Sequence, residues 1–211
     1  MKVLRKVSLY CIMLFCVSAA SSFAQDVKLP TPNLDKPIMQ VLKNRQSTRS
    51  YSRQELSDQT LSELLWAAYG INRPETGGRT APSAMNARET AIYVLMAKGA
   101  YVYDAEHQSL KLVTAKNLLD LVARQEYVKP APLHLVYVSD LGKLGRTGDK
   151  KELFAMAHTG FISQNVYLYC ASEGLGTVVR ASMDVEGLHK ALNLGDNQMI
   201  TLTQTIGYPV K

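Results

Sequence analysis

Residues 45–51 read Arg-Gln-Ser-Thr-Arg-Ser-Tyr and place two guanidinium groups and a hydroxyl at alternate positions. In an extended backbone, side chains two residues apart point to the same side, so Arg45, Ser47 and Arg49 are predicted to project together, with Gln46 opposite. Two planar donors beside a hydroxyl suit a small dianion such as a phosphate, at about 1.5–3 kcal/mol per charge-assisted hydrogen bond. The same short motif also fits two solvated arginines in a loop.

Three further segments follow this motif in order. A loop rich in Pro and Gly at 72–79 leads into Pro-Ser-Ala-Met-Asn at 82–86. Gln164 and Asn165 lie on a long apolar segment that ends in Gly-Leu-Gly-Thr at 174–177, and the last predicted strand ends in Gly-Tyr-Pro at 207–209. Together with residues 45–51, these segments resemble the nitroreductase family, the FMN-dependent flavoenzymes, over residues 37–209. The shared order makes the resemblance more specific than any single motif.

The resemblance implies an α+β, nitroreductase-like FMN-binding fold with a central antiparallel or mixed sheet flanked by helices. It also implies an intertwined homodimer with FMN at the subunit interface. By position, Arg45, Ser47 and Arg49 would hold the phosphate and ribityl chain. Gln46 would stand where the family often places a larger basic residue near the flavin.

Two other segments complete the site that the resemblance implies. Pro82, Ser83 and Ala84 would lie against the flavin ring from the partner subunit, and Asn86 would hydrogen-bond a polar edge of the ring. A third stretch follows the Gly-Leu-Gly-Thr segment and consists of Val179, Arg180 and Ala181. Its backbone amides would face the redox edge of the flavin. For Arg180 the alternative interpretation is a surface arginine.

The first residues are typical of a signal peptide. A basic start is followed by an apolar run at 7–20 and by Ser-Phe-Ala at 22–24. The run is shorter than the roughly 20 residues that a spanning helix needs, although an N-terminal anchor helix is the alternative. We therefore predict a cleaved signal peptide at 1–24, one nitroreductase-like domain at 25–211, a periplasmic or otherwise exported protein, and no membrane span after cleavage.

Charge and cysteine content restrict the partners and the chemistry. Removal of Lys2, Arg5 and Lys6 with the signal lowers the net charge from +6 to +3, and the other cations are scattered, so no nucleic-acid partner is expected. Cys170 is the one cysteine left after cleavage, which leaves no intramolecular disulfide. The four histidines show no metal-ligand spacing, and no hydrolase nucleophile motif is present. The expectation is therefore no metal and no catalytic side chain.

A chain with so little chemistry of its own fits a protein whose cofactor does the chemistry. The leading hypothesis is an exported FMN-dependent oxidoreductase that acts on a small organic substrate. The alternative is a non-catalytic flavin carrier on the same fold. NAD(P)H is a cytoplasmic donor, so the predicted export argues against it.

Two features separate this sequence from most of the family. Residues 79–83 resemble the SagB-like peptide-azoline oxidase branch, which leaves the direction of electron flow open. The sequence stops at Lys211, where many relatives continue with basic residues that reach the phosphate. Either Lys211 does that work, or phosphate binding depends on Arg45 and Arg49.

Local patterns predict most of the secondary structure. A helix capped by Ser57 should end at Gly70, since leucines recur at helical spacing. Residues 151–171 are apolar nearly all round, which is typical of a buried central helix. Further predicted elements are a helix before Asn44, strands at 90–96, 133–138 and 199–206, a hairpin of 101–103 with 110–113, and a helix capped by Asp184.

Overall fold

Two apolar runs, Thr90–Met96 (β4) and Leu133–Asp140 (β7), form antiparallel neighbours at the centre of a seven-stranded sheet. The structure is a computed structural model that describes residues 25–31 and 37–210. The predicted signal peptide and Lys211 lie outside the described residues. The remaining strands are Val27–Lys28 (β1), Ile71–Arg73 (β2), Gly78–Arg79 (β3), Gly99–Asp104 (β5), Ser109–Thr114 (β6), Gly176–Arg180 (β8) and Gln198–Gly207 (β9).

The large sheet has the order β1-β6-β5-β4-β7-β9-β8, with every neighbouring pair antiparallel, and β2 pairs separately with β3. The helices are Ile38–Asn44 (α1), Asp58–Tyr69 (α2), Leu119–Val122 (α3), Lys151–Glu173 (α4) and Val185–Ala191 (α5). Short 3₁₀ segments lie at Ala84–Asn86, Glu126–Val128 and Leu141–Lys150. The described chain confirms the predicted α+β class with an antiparallel sheet.

Helices cover both faces of the sheet, which explains why β7 is almost continuously apolar. Leu135 and Tyr137 point to one face and pack in a cluster with residues of α2 and α4. Val136 and Val138 point to the other face and pack with residues of α3 and α5. The alternation along the strand therefore divides the core into two layers.

The predicted ends of the helices are largely confirmed. Ser57 Oγ accepts a hydrogen bond from the Thr60 amide at 3.1 Å, and α2 ends at Tyr69 before Gly70. Gly174 follows α4 with φ of 69°, the left-handed conformation that glycine adopts without strain. Asp184 accepts from the Gly187 amide and caps α5.

The expectation that α4 is buried all round is wrong for the single chain. One stripe of the helix is exposed, at positions spaced as neighbours on one helical face. It consists of Leu153, Met156, Ala157, Gly160 and Phe161. Within residues 25–31 and 37–210, the helices lack the combination of length and apolar character that crossing a membrane requires.

Candidate functional site

The segment after α1 runs along the outer edge of β8. The Thr48 amide donates to the Thr177 carbonyl at 2.9 Å, and Tyr51 forms an isolated antiparallel bridge with Pro209. A side chain at Gly176 would not fit here, because its Cβ would lie 2.6 Å from Thr48 Cγ2. The glycine of the Gly-Leu-Gly-Thr segment therefore permits this close approach.

Tyr167 on α4 connects the residue 45–49 segment to β8. Its hydroxyl oxygen accepts a hydrogen bond from the Val179 amide at 3.0 Å and lies 3.0 Å from Ser47 Oγ. Either hydroxyl can be the donor in the contact between Tyr167 and Ser47, because the phenol oxygen carries one proton and can accept from both the amide and Ser47. The guanidinium carbon of Arg45 lies 5.5 Å from the centre of the Tyr167 ring.

These contacts place Arg45 and Ser47 on one side of the extended segment, as the alternation predicted. Gln46 and Thr48 line a cavity of about 240 Å³ together with Tyr167 and Cys170. The ion pairs among the described residues include neither Arg45 nor Arg49. Both guanidinium groups can therefore neutralise an external anion.

Arg180 is not the surface arginine of the alternative interpretation, because its residue is only 6% exposed. Its guanidinium donates to the Val122 carbonyl at 3.2 Å, to the Ser182 carbonyl at 2.9 Å and to Thr205 Oγ1 at 2.9 Å. Burial lowers the pKa of this guanidinium from its usual value. The side chain therefore ties β8 to β9 and to the end of α3.

The charge of Arg180 also acts on a neighbouring histidine. His134 Nδ1 lies 3.1 Å from Thr205 Oγ1 and is fully buried on β7. Burial, and secondarily the positive charge of Arg180, lowers the pKa of His134 to about 3. This histidine is therefore a neutral core residue at physiological pH, and its Nε2 is buried without a hydrogen-bond partner among the described residues.

The backbone of residues 179–181 retains the outward-facing groups of an edge strand. The Val179 amide is already donated to Tyr167, so it is not free for a ligand. Alternation along β8 places the Val179 carbonyl and the Ala181 amide on the same outer edge. Ala181 itself is exposed just beyond the end of the strand.

The loop at 82–88 adopts an unusual backbone conformation. Met85, Asn86 and Arg88 have φ of 51°, 55° and 48°, in the left-handed region that non-glycine residues rarely occupy. Ser83 Oγ accepts from the Arg88 amide at 3.0 Å, and Asn86 Oδ1 accepts from Arg88 Nε at 2.9 Å. Because the Asn86 oxygen is used, its amide NH₂ is the group left to bind a ligand.

Within one chain, the loop and the residue 45–49 segment contact opposite sides of α4. The Ala84 amide donates to His158 Nε2 at 2.9 Å, whereas Ser47 contacts Tyr167. Nine residues separate His158 from Tyr167, which at 3.6 residues per turn is two and a half turns and about 14 Å along the axis. The predicted site residues therefore form two separate groups in a single chain.

Tyr167 and His158 were not identified as site residues from the sequence. The available signal was weak, because α4 also carries other polar residues, among them Thr159, Ser163 and Asn165, and nothing in the sequence singles out these two. Which partner such a group meets depends on residues more than 70 positions away. Helical periodicity carries no information about those partners.

A possible metal-binding cluster lies elsewhere, at Asp104, Glu106 and His107, whose ligand atoms are within 4.8 Å of one another. The Lys111 ammonium lies 2.6 Å from Asp104 Oδ2, and His107 Nδ1 lies 2.7 Å from the same oxygen. Hydrogen bonds from Lys111 and His107 outweigh partial burial and hold the pKa of Asp104 well below its usual value. The carboxylate already has its cation, so this cluster is an ion-pair network.

Comparisons with known proteins agree on one family. The model described as the nitroreductase family matches residues 42–208. A nitroreductase-like protein of Methanocaldococcus jannaschii is 31% identical over 164 residues, which cover 72% of this chain and 82% of that protein. A nitroreductase-like crystal structure from Ralstonia eutropha is 38% identical with a TM-score of 0.85, covering 92% of this chain and 93% of that one.

A more distant structure shares the fold alone. A chain of the Escherichia coli microcin synthetase complex McbBCD aligns with a TM-score of 0.69 at 19% identity, over 86% of this chain and 76% of that chain. At this identity the likeness concerns architecture, and it carries no statement about substrate.

Proposed function

The chain belongs to the nitroreductase family, and on that premise we propose that it is a dimeric FMN-dependent oxidoreductase acting on a small organic molecule. One observation carries the proposal: Arg45, Ser47 and the Val179 amide converge on Tyr167. This cluster brings a guanidinium group and a hydroxyl group to the exposed edge of β8. Such a donor set suits the phosphate end of a flavin nucleotide.

The residues present fit FMN. Arg45 and Arg49 would hold the phosphate through charge-assisted hydrogen bonds, and the Ser47 hydroxyl would donate a further one. Gly176 keeps the segment close to the sheet, so these donors are held on a rigid element. Bound FMN would supply reversible electron transfer, while the protein binds and orients it.

The ring-binding groups would come from two places. The Ala181 amide stands on the outer edge of β8 and would donate to a polar atom of the ring. Pro82 and Ala84 offer an apolar surface, and the Asn86 NH₂ would donate to a ring carbonyl. We place no general acid or base, since none of these groups titrates near neutral pH.

A homodimer would bring the two groups of residues together. In one chain they contact opposite sides of α4, so the loop at 82–86 would reach the flavin of the partner. The exposed apolar stripe on α4 supplies a surface for this association. A two-fold axis would place the same stripe on both sides of the interface and create two equivalent sites.

We further propose that the protein is exported, on the strength of the signal-like residues 1–24. Export removes it from the cytoplasmic NAD(P)H pool. Electrons would then come from the substrate or from another reduced carrier. The segment at 79–83 supports an oxidase direction, by its resemblance to the SagB-like branch.

The test is an absorbance spectrum of residues 25–211 purified with added FMN, followed by anaerobic mixing with NADPH, and separately with dithionite as the chemical control. A flavin band that dithionite bleaches establishes the site. Turnover of an electron acceptor or donor then distinguishes an enzyme from a carrier. Absence of a protein-bound flavin band, after saturation with FMN and removal of the unbound FMN, would refute the proposal.

A further inference from the structure

A buried acid–imidazole pair stands behind the loop at 82–88. Glu89 and His158 are 2% and 3% exposed, and His158 Nδ1 lies 2.7 Å from Glu89 Oε1. The other ring nitrogen, Nε2, accepts the Ala84 amide proton at 2.9 Å. The pair therefore reaches from the interior to the backbone of the loop that carries Pro82, Ser83 and Asn86.

The contacts of the ring nitrogens fix the tautomer of His158. A backbone amide is always a donor, so His158 Nε2 must be unprotonated. The ring proton is then on Nδ1 and is donated to Glu89 Oε1. Thr90 Oγ1 donates to the same oxygen at 3.0 Å. A doubly protonated His158 would direct an N–H at the Ala84 N–H and lose the contact.

Burial of this pair lowers the stability of the fold, so stability does not explain its presence. Glu89 Oε2 is buried and has no hydrogen-bond donor among the described protein groups. Leaving a buried carboxylate oxygen unsatisfied destabilises a fold, and well-packed apolar side chains would serve the core better. A different role is therefore needed to explain the arrangement.

The loop provides that role. Its three left-handed non-glycine residues are strained, and such strain persists only where the surroundings impose it. Arg88 secures the far end by donating to the Thr76 carbonyl at 2.7 Å, while His158 secures the Ala84 end. The strained loop is thus held at both ends.

We infer that Glu89 and His158 are positioning residues: Glu89 selects the Nδ1–H form of His158, and His158 holds the residue 82–88 loop in the conformation that faces the flavin. The flavin part of this inference rests on the proposed function. The effect of the pair on the loop does not.

Nuclear magnetic resonance of the uniformly ¹⁵N-labelled protein tests the protonation state directly, with and without FMN. Long-range spectra of the imidazole ring should show His158 as the neutral Nδ1–H form, assigned by its loss in His158→Gln. The Ala84 amide should be protected from hydrogen exchange. An Nε2–H or doubly protonated ring at pH 7 would overturn the inference, whether or not FMN binds.

Three variants separate positioning from packing. Glu89→Gln keeps the size but can donate to Nδ1, which favours the Nε2–H form; Ala84 protection should fall at least tenfold and the FMN dissociation constant should rise about tenfold. His158→Leu removes the acceptor of the Ala84 amide and should reduce Ala84 protection and FMN affinity to a similar extent. His158→Gln restores an acceptor near the Nε2 position and should recover part of both losses.

Thr159→Val is the matched control, because Thr159 is buried on the same helix and bonds Thr201 at 2.8 Å, away from the loop. It should leave the imidazole form, Ala84 protection and FMN affinity unchanged. Unchanged FMN affinity in Glu89→Gln and His158→Leu would refute the inference and leave the proposed function standing. If the unsubstituted protein binds no FMN, the proposed function fails, while the exchange measurement still decides whether the pair holds the loop.

Discussion

The hydroxyl oxygen of Tyr167 lies 3.0 Å from Ser47 Oγ, across 120 residues of sequence. The same oxygen accepts the Val179 amide proton, so one phenol connects α4, the residue 45–49 segment and the edge strand β8. This arrangement holds the donors that we propose for an anion in register with the backbone edge proposed to face the flavin ring.

Tyr167→Phe removes both hydrogen bonds and keeps the ring under Arg45. We expect the FMN dissociation constant to rise about tenfold, since Ser47 loses its fixed orientation and the Val179 amide loses its acceptor. Fluorescence titration with FMN measures the dissociation constant. Tyr169→Phe is the control: it also loses hydrogen bonds, to Thr60 and Glu63, and should leave FMN affinity unchanged. Equal effects of the two variants would contradict a specific role for Tyr167.

Gly176→Ala should push the residue 45–49 segment away from β8, because the new methyl group would lie 2.6 Å from Thr48 Cγ2. Overpacking of this kind costs about 1–3 kcal/mol, and FMN affinity should fall with it. Adding Thr48→Ser removes the closest methyl group but keeps the Cβ at 2.9 Å, so it should restore part of the loss. Gly145→Ala is the control, because no side chain beyond its immediate chain neighbours lies within 4 Å of the new Cβ, and it should leave stability and FMN affinity unchanged. Failure of Thr48→Ser to rescue would show that the close approach is not the cause.

The free energy of unfolding should fall in acid because of His134. Its pKa is about 3 in the folded protein and about 6.5 when unfolded, so below pH 6.5 the unfolded state binds the extra proton. The contribution of neutral His134 to the free energy of unfolding is complete above pH 6.5 and is lost as the pH falls toward 3. It amounts to about 2 kcal/mol between pH 7 and pH 5, at roughly 1.4 kcal/mol per unit. Urea unfolding of His134→Asn should show a correspondingly shallower pH dependence, and an unchanged dependence would contradict the prediction.

The dimer proposal depends on the exposed stripe of α4. The double variant Met156→Glu, Phe161→Glu places charges on that stripe, which should yield monomers in sedimentation velocity and reduce FMN binding at least tenfold. Val185→Glu alters an exposed apolar side chain on α5 and should preserve both properties. A monomeric variant that binds FMN as tightly as the unsubstituted protein would show that one chain contains the complete site.

Sequence patterns predicted the elements well where burial and capping are local. The leucine spacing of α2, its Ser57 cap and the continuous apolar run of β7 each follow from one segment of chain. The alternation at 45–49 also predicted that Arg45 and Ser47 share a side, and both contact Tyr167. These predictions needed no knowledge of distant residues.

The contacts that hold the site could not be predicted in the same way. Tyr167 and His158 act through partners brought near by the fold, and the buried position of Arg180 depends on carbonyl groups of α3 and the turn after β8. The exposed stripe of α4 was missed for a related reason. Hydropathy predicts burial, but it does not say whether the same chain or another copy covers the surface.

The most direct test of the account compares FMN with riboflavin, which lacks the phosphate. The account predicts that the protein binds FMN at least a hundredfold more tightly, and that Arg45→Ala with Arg49→Ala abolishes the difference while Arg146→Ala preserves it. Calorimetric titration of both ligands into each variant provides the comparison. Equal affinity of the unsubstituted protein for FMN and riboflavin would contradict the assignment of residues 45–49 as the phosphate site.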